Sequence, residues 1–222
     1  MGRTTTYRIR ISLDGKVPTL LAFGLLLSTP IAFGTSADDE PALAVVSTPS
    51  LPLYFEENRG QTDPSVRFVS RAGGTTTYFR DDDLVMRLPS AVVQMRFLDA
   101  DDSVVVEGEN ALPGKSSYFR GSDPERWVRG AANFAVLRYE DIYPGIDAVF
   151  HGHEGELRYD FHIAPGTDPR RIRLAFDGVT DLSLAENGDL VLATGAGEIF
   201  HRAPVVYQDI DGSRVNIDAG FE

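Results

Sequence analysis

The chain has 222 residues, with 21 basic and 33 acidic side chains and a net charge of −12 at pH 7. An acidic surface of this kind repels nucleic acid and anionic membranes, because binding phosphates requires clustered Lys and Arg. The absence of cysteine excludes disulfide cross-links and a lipid-modified cysteine anchor. With 42% hydrophobic and 24% charged residues, the composition is typical of a globular protein.

Residues 1–37 have the three parts of a secretory signal peptide. A basic start is followed by the apolar core Leu20–Leu27, and Thr35-Ser36-Ala37 supplies small residues at the cleavage positions. The basic residues are Arg3, Arg8, Arg10 and Lys16. We expect cleavage after Ala37, with Gly34 as the alternative, and therefore a secreted, extracellular or cell-surface product.

The same segment has a second interpretation, a membrane anchor, because no charge occurs between Lys16 and Asp38. Its dense apolar core, Leu20–Leu27, is much shorter than the roughly 20 residues that span a bilayer. Proline and glycine also interrupt the segment, at Pro18, Gly24, Pro30 and Gly34. Cleavage is the favoured interpretation, and no contact with a membrane is expected afterwards.

Cleavage would also change the net charge. The leader holds four of the 21 basic and one of the 33 acidic residues, so 17 basic and 32 acidic residues remain, a net charge of −15.

The rest of the chain divides into a flexible lead and a β-rich module. Residues 38–52 are rich in Ala, Ser, Thr and Pro and offer little to bury. Residues 53–222 form the module, with a weak signal for a boundary between two lobes near residue 130. The last residues, Arg214–Glu222, still alternate as a strand does, so we expect the native protein to continue beyond them.

Apolar residues in the module recur at every second position, as in strands with one buried face. In Glu156–Ile163 the odd-numbered residues are apolar and the even-numbered ones polar. Similar runs are Leu84/Met86/Leu88, Val93/Met95/Phe97, Ile172/Leu174/Phe176 and Val215/Ile217/Ala219/Phe221. No apolar 3.6-residue period persists for ten residues, so the pattern predicts strands throughout.

Turn residues separate these strands. Asn187-Gly188, Glu154-Gly155 and Asp211-Gly212 predict hairpins. Asp followed by Pro predicts single helical turns at Asp123–Arg126 and Asp168–Arg171. The sequence therefore predicts an all-β fold, an antiparallel β-sandwich or two packed small β-sheets or lobes, with only single-turn helices.

Histidines and acidic clusters are the candidate metal ligands. His151 and His153 would lie on one strand face, with His162, His201, Glu154 or Glu156 as possible further ligands. Two ligands do not make a four-ligand site, and a polar hairpin tip is the favoured interpretation. The acidic clusters are Asp81–Asp83 and Asp99–Asp102. Neither fits a calcium-binding loop, since Val104 and Asn110 stand where the second cluster needs Gly and Glu. We assign no metal or cofactor, and a metal-dependent hydrolase is the second alternative function.

No catalytic residue can be assigned. Nucleophilic catalysis needs an activated Ser or Cys near a base, but the mature chain has neither cysteine nor a Gly-x-Ser-x-Gly elbow, and Ser116-Ser117 has no identifiable base. We expect a protein that is not an enzyme. The first alternative is a carbohydrate-binding domain, because aromatic side chains can form a sugar-stacking surface. The candidates are Tyr54, Phe55, Tyr78, Phe79, Tyr118, Phe119, Trp127, Tyr139 and Tyr143, although aromatics at strand spacing more often form a core.

The segment Tyr54–Gln61 has a polar half without strand periodicity. Arg59 can bind Glu56 or Glu57, and Gly60 can take positive φ. A structural turn is the expected role of this segment.

The motif Leu53–Gln61 (LYFEENRGQ), followed by Val66-Arg67-Phe68, resembles the opening of the N-terminal domain of bacterial SBBP-type (β-propeller repeat) secreted proteins. The likeness continues at Leu112–Lys115 with Tyr118-Phe119, Tyr139 with Asp141–Asp147, Tyr159–Phe161 with Ala164–Gly166, and Pro204–Gln208. The resemblance implies a large exported protein in which this module precedes the propeller repeats. It carries over no catalytic residue. The function expected from it is a non-catalytic structural or interaction module whose partners are the downstream repeats, with surface glycans or proteins as further partners.

Overall fold

A computed structural model describes residues 52–210 and 213–222, and, in the backbone alone, the strands β1 (Tyr7–Leu13) and β2 (Leu21–Ser28). Of residues 209 and 210 only the backbone is described. The cleavage position at Ala37, most of the lead and the turn Asp211-Gly212 lie outside the described residues. The signal peptide and the flexible lead stay predictions.

The predicted all-β fold is confirmed, because every strand pair is antiparallel and the helices are single turns. The strands in the module are β3 (Phe55–Glu57), β4 (Phe68–Ala72), β5 (Thr75–Phe79), β6 (Asp83–Arg87), β7 (Val92–Phe97), β8 (Val105–Tyr118), β9 (Val128–Tyr143), β10 (Ile146–His153), β11 (Glu156–Ile163), β12 (Arg173–Asp177), β13 (Asp181–Leu184), β14 (Leu190–Thr194), β15 (Gly197–His201), β16 (Val205–Ile210), β17 (Ser213–Ile217) and β18 (Ala219–Phe221). The helical turns are Pro124–Arg126 and Pro169–Arg171. Among the described residues no helix has the length and hydropathy to cross a bilayer.

One large curled sheet organises the module. Its strands pair in the order β12–β7–β6–β5–β4–β3–β9–β10–β11, and β8 lies along the opposite edge of β9. Smaller sheets are added by β13–β14–β15 and by β16–β17. The backbone of β2 pairs with β11, β15 and β16, and that of β1 with β12 and β18.

The long strand β9 connects the parts of the sheet. It pairs with β8 along most of its length. Its other edge is shared by β3, at Asn133 and Phe134, and by β10, from Val136 to Tyr143. Residue 130, where the sequence suggested a lobe boundary, lies inside this strand.

The core is aromatic and lies inside the curl of the sheet. Strand β11 alternates as predicted, with Leu157, Tyr159, Phe161 and Ile163 buried. Phe150 contacts the rings of Phe79, Phe97, Tyr139 and Tyr159 at centroid distances of 5.1 to 6.4 Å. Such a core supplies the burial that a chain without disulfides needs.

The alternation at the end of the chain was misread as one strand. It is divided at Asp218 into β17, which pairs with β16, and β18, which pairs with β1. Val215 is 46% exposed and Phe221 is buried. A period of two shows that neighbouring segments are extended, but it does not show that they belong to one strand or share one covered face.

The turn predictions are confirmed where the structure describes them. The amide of Gly188 donates to the Ala185 carbonyl at 2.9 Å and turns β13 into β14, and β10 and β11 meet at Glu154-Gly155. The carboxylate of Asp123 accepts the Glu125 amide at 3.0 Å, which caps the first helical turn. Asp168 caps the second in the same way.

Candidate functional site

A buried carboxylate, Glu56, organises one end of the module. Its side chain is 1% exposed, and it lies on β3 between β4 and β9. It accepts hydrogen bonds from the Tyr118 hydroxyl at 2.7 and 2.8 Å and from Gln61 Nε2 at 2.8 Å, and Arg71 lies 3.6 Å away. Burying a carboxylate is unfavourable unless its oxygens are bonded, so these partners join β3, β4, β8 and the turn after β3.

The turn after β3 is held by side-chain hydrogen bonds. Asn58 donates to the carbonyls of Asp63 and Val66, both at 2.8 Å, and accepts the Gly60 amide at 3.1 Å. The Arg59 amide donates to Gln61 at 2.7 Å. A structural turn is therefore present, as the motif predicted.

The predicted ion pair of Arg59 with Glu56 or Glu57 is wrong. Glu56 points into the module, where Tyr118, Gln61 and Arg71 occupy its oxygens. Arg59 is exposed, and it forms no ion pair in the part of the chain that the structure describes. Its guanidinium is left on the surface of the turn.

Tyr118 connects this buried network to the surface. Burial and the hydrogen bond to Glu56 raise the pKa of Tyr118 to about 12, so its hydroxyl stays a donor at neutral pH. The neighbouring serines have structural roles: Ser116 Oγ lies 3.2 Å from Asn133 Oδ1, and Ser117 Oγ accepts the Gly130 amide at 3.1 Å. Nothing in this geometry activates a nucleophile.

Directly outside the network lies a cleft of about 470 Å³, which we call the arginine cleft. The turn after β3, the end of β8, the first helical turn and the start of β9 form its walls. Its lining residues are Arg59, Gly60, Gln61, Tyr118, Arg120, Glu125, Arg126, Trp127 and Val128. Its size is that of a small-molecule site, and its lining is far more polar than usual for one.

Arg120, which lines the arginine cleft, and Arg129, which lies beside it, stack on aromatic rings. The guanidinium of Arg120 lies 5.2 Å from the centre of the Tyr118 ring. That of Arg129 lies 5.3 Å from Trp127 and 5.6 Å from Phe119. These are cation–π distances, and they orient the side chains.

The aromatic pair next to the arginine cleft is partly open to solvent. Phe119 and Trp127 pack edge to face at 5.3 Å, and Phe119 is 62% exposed. Trp127 Nε1 donates to the Gly121 carbonyl at 3.1 Å, which fixes the indole.

The arginines at the arginine cleft differ from most others in the module. Most arginines elsewhere bind carboxylates, in the pairs Arg67–Asp81, Arg71–Glu56, Arg80–Asp83, Arg96–Asp177, Arg138–Glu109, Arg138–Asp147, Arg170–Asp168, Arg173–Asp99 and Arg202–Asp189. Within residues 52–210 and 213–222, the three arginines of the cleft and the neighbouring Arg129 have no such pair. Arg87, Arg158 and Arg171 also lack one, but each of these three lies on a different element. A local positive surface therefore stands on a chain of net charge −12.

The histidines singled out in the sequence do not converge. His151 Nε2 lies 2.9 Å from Asp160, and His153 lies at the hairpin tip, 4.0 Å from Glu154. His201 is buried elsewhere against Tyr159. In the described ranges, no three His, Asp or Glu side chains are grouped as metal ligands.

The acidic clusters form turns between strands. Asp81 binds Arg67 at 2.7 Å, and Asp83 accepts from Arg80 and, at 2.6 Å, from Gln94. The Asp101 carboxylate accepts the Ser103 amide at 2.8 Å.

The nine aromatic candidates fall into different environments. Phe55, Phe79, Tyr139 and Tyr143 belong to the core, and Tyr54 and Tyr78 are half-buried. Tyr118 and Trp127 line the arginine cleft, and Phe119 packs on Trp127 beside it. The arginines Arg120, Arg126 and Arg129 were not singled out in the sequence, although their interleaving with aromatics in FRGSDPERWVR was a usable signal.

The family model described as a domain of unknown function (DUF7948) matches residues 55–222. The chain belongs to this family. The DUF7948 domain includes Glu56, its hydrogen-bonding partners and the entire arginine cleft. No curated protein and no solved structure matches the chain.

Proposed function

We propose that the DUF7948 domain is a non-catalytic interaction module whose binding surface is the arginine cleft. The observation that carries the proposal is the grouping of arginines that lack ion-pair partners among the described residues, while most arginines elsewhere have such partners. Exposed unpaired guanidiniums beside aromatic rings are typical of recognition sites, because Arg offers five donors in a fixed plane.

The network beneath the arginine cleft supports binding better than catalysis. Tyr118 keeps its proton at neutral pH, and Glu56 accepts from side chains that hold it inside the domain. Rigid groups below a cleft fix the groups that line it, which lowers the entropic cost of binding.

We further propose that the domain is the first module of an exported β-propeller-repeat protein, at the cell surface or outside the cell. The leader at residues 1–37 and the ordered motifs from Leu53 to Gln208 support this placement. Its partners within the polypeptide are then the repeats that follow. Continuing the gene beyond the codon for Glu222 tests the placement, since repeated β units of about 40–50 residues are expected there and their absence would contradict it.

A matched pair of variants tests the binding surface. Arg120→Gln/Arg126→Gln removes two charges from the arginine cleft, and Arg87→Gln/Arg171→Gln removes two exposed charges elsewhere. The purified full-length chain is applied to arrays of cell-surface polysaccharides and extracellular proteins. Binding that the first variant loses and the second keeps is expected. Binding that both variants keep would place the interaction on another surface.

A further inference from the structure

We infer that the arginine cleft binds the carboxylate of an acidic saccharide, an inference that rests on the proposed binding function of this cleft. The charge of the residues that line the cleft favours a ligand of opposite charge. Arg59, Arg120 and Arg126 line the cleft, whereas among the described residues Glu125 is the only acidic one that does. Three guanidiniums against one carboxylate favour an anion.

The position of Arg120 is suited to a planar carboxylate. Its guanidinium lies over the Tyr118 ring at 5.2 Å, and its Nη1 donates to the Gln61 carbonyl at 3.4 Å. Stacking uses the face of the guanidinium and leaves its other in-plane N–H donors open to a ligand. Tyr118 is itself fixed by Glu56, so little side-chain entropy is lost when Arg120 forms a two-bond pair with a carboxylate.

The remaining lining is suited to a sugar ring. Trp127 presents an amphipathic aromatic surface to the cleft. Such a surface packs against the C–H face of a sugar ring while polar groups bind its hydroxyls. Glu125 lines the same space and offers a carboxylate that accepts hydrogen bonds from ring hydroxyls. A cleft of about 470 Å³ accommodates one or two sugar rings.

The same features disfavour other anions. Glu125 accepts hydrogen bonds from hydroxyls, but it repels a phosphate that carries nearly two charges. A long polyanion such as nucleic acid extends beyond the cleft and is repelled by a chain of net charge −12. A ligand with one carboxylate on a polar ring suits both charges in the cleft, because the carboxylate pairs with the arginines and the ring hydroxyls donate to Glu125.

The test measures binding of the full-length chain by calorimetry to short oligomers of galacturonate, glucuronate and mannuronate. Each oligomer is paired with its carboxyl methyl ester, which keeps the ring and removes the charge. An acidic peptide and a single-stranded oligonucleotide complete the set. We expect at least one uronate to bind, with affinity reduced tenfold or more by esterification and by Arg120→Gln.

Arg120→Lys keeps the charge but loses the planar fork, so it is expected to weaken uronate binding nearly as much as Arg120→Gln. Arg87→Gln is expected to leave binding unchanged. Equal binding of acid and ester would overturn the carboxylate inference and leave the cleft as a binding surface. A second outcome has the same meaning: no uronate binds, but the peptide or the oligonucleotide binds and Arg120→Gln weakens that binding. If no probe binds, and Arg120→Gln/Arg126→Gln also leaves binding to the polysaccharide and protein arrays unchanged, both the inference and the proposed function fail.

Discussion

The hydroxyl of Tyr118 lies 2.7 Å from Oε1 and 2.8 Å from Oε2 of Glu56, a residue 62 positions earlier in the chain. The carboxylate is 1% exposed. A single phenol therefore joins the end of β8 to β3, and it does so at the base of the arginine cleft. Stability and cleft geometry depend on the same hydrogen bond.

Tyr118→Phe is expected to lower the free energy of unfolding by about 2 kcal/mol, because it removes a donor from a buried charged acceptor. Urea denaturation measures the change. Tyr78→Phe is the matched control, since Tyr78 is half-buried and its hydroxyl has no hydrogen-bond partner among the described residues. Equal losses in the two variants would show that the bond to Glu56 contributes nothing specific.

Gly178 and Gly166 have the same backbone angle, φ +81°, but different surroundings. A Cβ on Gly178 would lie 2.0 Å from the Val92 carbonyl oxygen, whereas none of the surrounding atoms lies within 4 Å of one on Gly166. Gly166→Ala is expected to cost about 1–2 kcal/mol for the left-handed conformation alone. Gly178→Ala should cost several kcal/mol, because backbone must move to relieve the contact.

Urea denaturation of both glycine variants separates the two effects. The difference between them measures the close approach of the segment after β12 to β7, since the conformational penalty is common to both. Equal stabilities would mean that the chain at Val92 shifts without cost.

Local patterns in the sequence predicted most of the fold. The alternation in Glu156–Ile163 and the Asp-Pro pairs at Asp123 and Asp168 act within a few residues, so they could be interpreted without knowing the tertiary structure. The division at Asp218 was missed, because partner choice between strands is not local.

Local patterns could not predict that the arginine cleft forms. It brings the turn at Arg59 to the segment Tyr118–Val128, and that approach is set by the pairing of β3 with β9. The polar half of Tyr54–Gln61 correctly indicated a special turn. It could not show that Glu56 turns inward to Tyr118 and leaves Arg59 outside without an ion pair among the described residues.

The predicted signal peptide leads to a testable expectation about the mature protein. If the segment through Ala37 is a signal peptide, the exported form begins at Asp38 and has lost both Tyr7–Leu13 and Leu21–Ser28, whose backbones pair with strands of the module. N-terminal sequencing of the protein recovered outside the expressing cells is expected to read Asp-Asp-Glu-Pro. Ala37→Arg should block this cleavage, because the peptidase needs a small residue there. An exported protein that still begins at its first residues would contradict the prediction.

His201 gives the domain a predictable response to acid. Its side chain is fully buried, with Nε2 2.6 Å from the Tyr159 hydroxyl and its ring stacked between those of Tyr159 and Phe221. Burial lowers the pKa of His201 to about 3, against a smaller opposing effect of Asp189. The histidine is therefore neutral in the folded protein throughout the physiological range.

In the unfolded chain the same histidine has a pKa near 6.5. Below that value the imidazole is protonated in the unfolded state but not in the folded state. The contribution of neutral His201 to the free energy of unfolding is therefore fully present above about pH 6.5 and is lost progressively as the pH falls toward 3. From pH 6.5 to 5 the free energy of unfolding is expected to fall by about 2 kcal/mol from this group. Carboxylates with lowered pKa, such as Asp63 and Asp168, contribute mainly at lower pH.

Urea denaturation at pH 7, 6 and 5 tests this assignment. His201→Gln cannot titrate, and its amide can still pair with Tyr159, so the variant should be less stable at pH 7 but nearly insensitive to pH down to 5. His153→Gln, at the exposed hairpin tip, should keep the slope of the unmodified protein. A His201→Gln variant with that same slope would assign the acid sensitivity to other groups, because the buried imidazole would then make no difference to proton uptake on unfolding.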